Sequence, residues 1–552
     1  MVVLEMILYR SGCVKLFTLL AACVFVFTSA RASHAQPKDP IRELQRTATA
    51  DGNATWGHWG ARPDEWSEWQ THSNRLVPVY TFGTTIDHLG GENSPYRSPS
   101  QLTRIYGQIP SGTLNPEAEY FDQTDVHRIQ TEAVAAGKKY IILVIFDGMD
   151  WQTTQLAAIY RAGQVSYSKG RGAGLAFQDY DKVPTSFGYM VTTPHNDRTS
   201  IDVDKQIATL SDVTPQGGYH PIQGGQTPWA RAGELEYLEG EGERWKHVYT
   251  DSAASGSAMM SGVKTYNKAI NTDRHGDPVE PISHRLQERK GYSIGIVTSV
   301  PICHATPATA YAQNVTRDDY QDLARDMLGL PSVSHPGNEL PGVDVLLGTG
   351  WGVLKEEDPN QGENFVPGNR YITMADLQAA STEGGGPFVT VTRAAGQDGT
   401  ESLGRATTRA VDGNARLLGI FGCGAVYNHL PFRTADGNYD PVKGSRDLET
   451  YTQADIVENP SLAEMTKAAL RVLETNEKGF WLMVEAGDVD WANHDNNIDK
   501  SIGAVISGEE AFVAITTWAE KNNRWKDTVV IVAADHGHLF TLLDPTVLLG
   551  GE

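Results

Sequence analysis

Cysteine and positive charge are both scarce in this chain. Of four cysteines, Cys13 and Cys23 fall near the N-terminus, which leaves Cys303 and Cys423. One pairing in an oxidising compartment is the most those two permit, and Cys303 beside His304 reads as a buried small side chain, not a catalytic thiol. Lys and Arg number 46 against 68 Asp and Glu, a formal net charge of −22. That balance argues against nucleic acid or an anionic membrane as a standing partner, and a polyanionic substrate would need a locally cationic site. Long apolar runs are missing too. The stretch Leu16–Phe27 is too short to span a bilayer comfortably, no second membrane segment follows, and no internal repeat is present.

That single apolar run has the flanks of a targeting segment. Arg10 and Lys15 are near its start, and Ser33-His34-Ala35 offers small residues at signal-peptidase spacing. Residues 1–35 are therefore expected to be a signal peptide, with export to the periplasm or beyond. Leu20-Ala21-Ala22-Cys23 also fits a lipoprotein cleavage pattern, ranked second because apolar residues continue past the cysteine.

Four apolar runs share one design. Residues 139–146 lead into Asp147-Gly148-Met149-Asp150, and residues 291–298 are followed by Cys303-His304-Ala305-Thr306-Pro307. Residues 480–484 run into Glu485-Ala486-Gly487-Asp488-Val489-Asp490, with His494 beyond; residues 528–533 lead into Asp535-His536-Gly537-His538. Their length and β-branched content predict parallel strands covered on both faces, hence an α/β fold with a largely parallel central sheet flanked by helices. Ligands in such sheets bind outside the carboxyl ends of the strands, where these acids, histidines and the threonine stand. A fifth segment, Thr250-Asp251-Ser252-Ala253-Ala254-Ser255, starts a small-residue helix with an acid before a serine. A helix start offers unpaired N–H groups and a positive dipole end to an anion such as phosphate.

The donor types indicate metals. Asp490 and His494 are four apart and share a helix face, and Asp535-His536 supplies a second carboxylate–imidazole pair. Nitrogen and oxygen donors without thiolates suit catalytic zinc. Thr306 and Glu485 offer oxygen only, as magnesium prefers. Asp147 is a candidate to bridge two ions, and paired zinc ions could stabilise a serine alkoxide.

These pieces resemble the alkaline phosphatase family in type and order, across residues 139–538. They are Asp147-Gly148-Met149, the serine block with Gly262-Val263-Lys264-Thr265-Tyr266-Asn267 after it, His304-Ala305-Thr306-Pro307-Ala308, Arg317, Glu485 through Asp490 and His494, and Asp535-His536-Gly537-His538. The resemblance implies a phosphate-monoester hydrolase with two zinc ions and one magnesium. Ser252 would form a phosphoserine intermediate. Asp147, Asp535 and His536 would hold one zinc, Asp490 and His494 would supply two ligands of the other, and Asp147, Thr306 and Glu485 would hold magnesium. Arg317 would grip two phosphate oxygens, oriented by Asp251. The family often forms homodimers.

Three departures from the family pattern stand out. His304 replaces the aspartate that some members carry near magnesium, which bears on metal preference. Trp491 stands where some members have a lysine reaching phosphate through water. The family completes the Asp490/His494 site with a histidine well beyond the Asp-His pair, whereas no histidine follows His538 here. His538 itself matches a residue that supports the site without touching zinc. The expectation is a truncated frame with an open sheet edge; otherwise His538 or another histidine must move in.

The remainder is expected to form an N-terminal extension, residues 36–136, and a core, residues 137–552, with insertions at about 160–245 and 330–475. The Trp-rich extension reads as an irregular arm packing over the core or a dimer partner. Within the second insertion, Asp344–Gly350 reads as one more core strand. Two rivals to the monoesterase remain open. One is a phosphodiesterase or sulfatase sharing the sheet and metals; the other is an inactive metal-binding remnant.

Overall fold

Four neighbouring parallel strands carry the site on their carboxyl ends, and the sequence explains why they lie in the middle of the sheet. The computed structural model describes residues 40–549, apart from Glu68 and residues 196–198, 211–216, 241–248, 424–427, 432 and 443–449. The expected leader, residues 1–35, lies outside them.

Ten strands form the main sheet: β1 (Val77–Phe82), β2 (Phe121–Asp122), β3 (Tyr140–Phe146), β4 (Thr185–Val191), β5 (Ser293–Pro301), β6 (Val345–Thr349), β7 (Phe388–Thr392), β8 (Arg416–Phe421), β9 (Phe480–Ala486) and β10 (Thr528–Ala533). Their spatial order is β7-β8-β6-β5-β9-β3-β10-β1-β4-β2. From β7 to β10 every pairing is parallel; β1 alone runs against the rest, being antiparallel to both β10 and β4. The sheet is thus largely parallel, as its apolar runs predict.

Every residue of β3, β9 and β10 is buried. Strands covered on both faces read as continuous apolar runs, since neither set of alternating side chains meets water. Trp481 of β9 donates through Nε1 to Gln130, on the helix Thr124–Ala135. Ala486, an odd number of residues along the same strand, faces Gly508 of the helix Ile498–Lys521 across the other side. A Cβ on Gly508 would stand 2.3 Å from the Phe146 ring, so only glycine lets this helix approach so closely.

Three parts of the chain enter the sheet from regions that read as additions. Val77–Phe82, within residues 36–136, lies along β10 from Val79↔Ala533 to Phe82↔Val530. Strand β1 thus covers the side of β10 away from β3. Residues 330–475 contribute β6, β7 and β8, and residues 160–245 contribute β4. The tail is sewn to the N-terminal region as well: Gly57–Trp59 pairs with Phe540–Leu542, and His72–Ser73 pairs with Gly537–His538, both antiparallel. Trp56, Trp59 and Trp66 all pack around Phe540. Cys303 and Cys423 are both buried, each with its sulfur near a backbone carbonyl, of Tyr371 and His429 respectively.

Candidate metal centre and nucleophile

Asp147 follows β3 directly, Glu485 is the penultimate residue of β9, Asp535-His536 follow β10, and His304 and Thr306 follow β5. Since β5, β9, β3 and β10 are consecutive in the sheet, their ends converge. The turn after β3 needs Gly148, whose φ is +68°; a Cβ there would meet the His538 ring at 2.8 Å.

Ser252 opens the helix Ser252–Ser261, with Asp251 as its cap accepting the Ala254 N–H at 2.9 Å. The Ser252 hydroxyl lies 3.3 and 3.4 Å from the two Asp147 oxygens and 3.2 Å from His536 Nε2. His536 Nε2 is in turn 3.0 Å from Asp147 Oδ1 and 3.7 Å from Asp535 Oδ2. One oxygen or nitrogen from each of Asp147, Asp535 and His536 lies within 4.8 Å of the others, close enough to share one cation.

A second set adjoins it: His72, Asp490, His494 and His538 meet the same distance limit. Asp490 and His494 share one face of the helix Asp488–His494, with Oδ1 and Nε2 3.4 Å apart. His538 Nε2 is 2.8 Å from Asp490 Oδ1, so the residue expected to stand behind the site contacts its carboxylate directly. His72 was not legible from the sequence. It lies in a two-residue strand outside any motif, and only its pairing opposite His538 brings it in. Trp69 of the same segment stacks on the His494 ring at 5.4 Å.

Thr306 donates to Asp147 Oδ2 at 3.2 Å, and Glu485 accepts from Thr298, its register partner on β5. Thr298 is a second residue missed in the sequence, since only strand register reveals it. Arg317 donates to Asp251 Oδ2 at 3.2 Å and approaches His304 Nδ1 at 3.5 Å. Burial works against the Arg317 charge, but Asp251, Tyr320 and Asp318 together more than restore it. Burial, helped by Arg317, holds His304 down at about 3, which leaves its ring neutral beside that guanidinium. Trp491 packs edge-on against His304 and His429, at 5.6 and 5.5 Å.

The carboxylates carry the electrostatic signature of a cation site. Burial raises Asp147 well above the usual range, with the charges of Asp490 and Glu485 adding to it. Burial likewise takes Glu485 to about 8 and Asp535 to about 7. Asp490 moves the other way: the surrounding imidazoles overcome its burial. Glu485 Oε1, Asp535 Oδ2, His536 Nδ1 and His538 Nδ1 are all buried without a hydrogen-bond partner. Donor atoms so buried and unpaired fit divalent cations, and the mixed imidazole–carboxylate set fits zinc better than calcium.

A family model for alkaline phosphatases matches residues 243–548, which includes Ser252, Arg317 and both Asp-His motifs but begins after His72 and Asp147. Alkaline phosphatase 4 of Bacillus subtilis (strain 168) is 31% identical over 293 residues, 52% of this chain and 49% of that protein. The alkaline phosphatase of Escherichia coli (strain K12) is 29% identical over 303 residues, 54% of this chain and 59% of that one. The chain spans about half the length of these curated relatives. The solved structure of Thermus thermophilus alkaline phosphatase overlaps with a TM-score of 0.43 at 22% identity, over 73% of this chain and 60% of that one, too loosely to bear on the site. With over half its length matched by the family model, the chain belongs to the alkaline phosphatase family.

Proposed function

We propose that this protein is an exported phosphate-monoester hydrolase that works through a phosphoserine on Ser252. The observation that carries this reading is the position of the Ser252 hydroxyl. It lies at a helix N-terminus, within 3.4 Å of Asp147 and His536 and on the same helix start as the carboxylate that orients Arg317.

Asp147, Asp535 and His536 would hold one zinc and Asp490 with His494 another, while Asp147, Thr306 and Glu485 would hold magnesium. When bound, such cations supply Lewis acidity that lowers the proton affinity of the serine hydroxyl and neutralises charge on the leaving and entering oxygens. The chain's own residues do the positioning. Arg317 presents a planar pair of N–H donors to two non-bridging phosphate oxygens, and Asp251 keeps the fork aimed. The helix start directs its first N–H groups toward the same anion. Ser252 Oγ attacks phosphorus, the ester oxygen leaves, and water entering from that side cleaves the phosphoserine and returns the hydroxyl. Positioning and electrostatics carry most of such a reaction.

The test compares rates on an aryl phosphate, a bis-aryl phosphate and an aryl sulfate. The monoester should be preferred, and Ser252→Ala should lower its turnover by at least ~10³-fold with bound metal unchanged. Preference for the diester or sulfate would overturn the reading in favour of the rival hydrolases. Equal, negligible turnover by parent and variant would favour an inactive metal-binding protein.

A further inference from the structure

We infer, given the metal-dependent site proposed above, that His72 is the third protein ligand of the Asp490/His494 metal. It is a ligand donated by the N-terminal segment, outside the region matched to the family.

The hydrogen bonds fix the tautomers. His72 Nδ1 is 2.9 Å from the Thr250 carbonyl oxygen, and His494 Nδ1 is 2.5 Å from that of Gln70. A carbonyl only accepts, so each Nδ1 carries a proton and Nε2 is the atom each ring has left to offer a cation through its lone pair. Those two Nε2 atoms lie 3.0 Å apart. Facing lone pairs at that separation repel unless a positive centre lies between them. Asp490 Oδ1, a third electron-rich atom, is 3.5 Å from His72 Nε2 and 3.4 Å from His494 Nε2.

The triangle so formed has edges of 3.0, 3.4 and 3.5 Å. Ligands bound at the usual zinc–nitrogen and zinc–oxygen lengths of about 2.0–2.1 Å are about 3.3–3.4 Å apart in a tetrahedron. Three protein donors with one open position is the usual composition of a catalytic zinc site. His538 differs from His72 in this respect. Its Nε2 is at hydrogen-bond distance, 2.8 Å, from the Asp490 oxygen, where it can donate and orient the carboxylate.

The backbone holds His72 at this place from two sides. Gln70 N–H donates to the His494 carbonyl at 3.2 Å while the His494 ring donates back to Gln70, so the segment is bonded to the helix end that carries the partner ligand. Asn74 N–H bonds to the Leu238 carbonyl at 2.8 Å, and His72 pairs in register with His538. Its ring is stacked on that of His536 at 3.7 Å, which confines it further.

The experiment uses the full chain loaded with cobalt(II) in place of zinc. His72→Cys should develop a near-ultraviolet thiolate-to-cobalt charge-transfer band that the parent lacks. Cobalt bound in this variant at the parent stoichiometry without the band would overturn the inference. His72→Gln provides a second readout should the cysteine variant fold poorly. Its zinc affinity at this one site should fall more than ~100-fold, against about 10–100-fold for His538→Ala, while the Asp147/Asp535/His536 site still fills. Zinc binding equal to the parent in His72→Gln would overturn it equally. Neither readout depends on turnover, so a failure of the phosphomonoesterase reading would be seen separately, in the hydrolysis assays.

Discussion

Arg317 is partly buried, with its guanidinium paired to the Asp251 carboxylate and backed by a neutral imidazole, His304. A partly buried guanidinium whose fork is not filled by Asp251 can hold an anion, and its geometry selects a tetrahedral oxyanion over a lone carboxylate oxygen. Arg317→Lys keeps the charge but not the fork. Losing one charge-assisted hydrogen bond is worth about 1.5–3 kcal/mol. KM for the monoester should therefore rise about 10–100-fold, with weaker product inhibition by inorganic phosphate to match. Steady-state kinetics with phosphate as inhibitor measure both, and an unchanged inhibition constant would remove Arg317 from the phosphate site.

At the scale of elements, the helix Ser252–Ser261 does two jobs through one cap. Asp251 accepts the Ala254 N–H and also the Lys268 N–H, at 3.1 Å to Oδ2, while pairing with Arg317. Asparagine caps a helix about as well as aspartate but carries no charge. Asp251→Asn should thus keep most of the stability while raising KM, whereas Asp251→Ala should lose about 1 kcal/mol as well. Denaturant melts beside kinetics separate the two. Equal melts and equal kinetics in both variants would refute the dual role.

The same scale explains what could be read from the sequence. Strands β3, β5, β9 and β10 were legible because long β-branched runs end abruptly in acids and histidines. Asp344–Gly350 was legible on the same grounds and appears as β6, Val345–Thr349. Strand β1 was not, since Val77–Phe82 carries Pro78 inside a Trp- and Pro-rich stretch. Strand β4 was hidden by Gly188 and by the Gly-rich passage around it. His72 and Thr298 escaped for a different reason. Neither belongs to a motif, and each joins the site only through strand register, which local sequence does not encode.

For the whole molecule, concentrating four carboxylates and several imidazoles in one buried place has a cost that pH should expose. Glu485 rises to about 8 and Asp535 to about 7 in the metal-free fold. A raised carboxylate binds its proton more tightly folded than unfolded, so stability falls as pH climbs from its unfolded value through its folded one. His494, lowered to about 4 chiefly by desolvation, acts oppositely but only below its unfolded value of about 6.5. Between about pH 6.5 and 8 the site carboxylates act in the same direction as two raised groups elsewhere, Asp319 at about 8 and His335. Metal-free protein should lose stability across that window, and saturating zinc should reduce the slope because a bound cation keeps the site carboxylates ionised. Urea midpoints at several pH values, with chelator and with zinc, measure this. A flat chelator profile would contradict it.

In the proposed mechanism the distant segments of this chain serve to set one hydroxyl against phosphorus. Acid-quenching the metal-loaded protein during turnover of a labelled phosphate ester, then locating the label by peptide mass spectrometry, tests that most directly. Label on Ser252, absent from Ser252→Ala, is the expected result. Turnover of the monoester with label on another residue, or with no covalent label under conditions that trap such intermediates, would contradict the account.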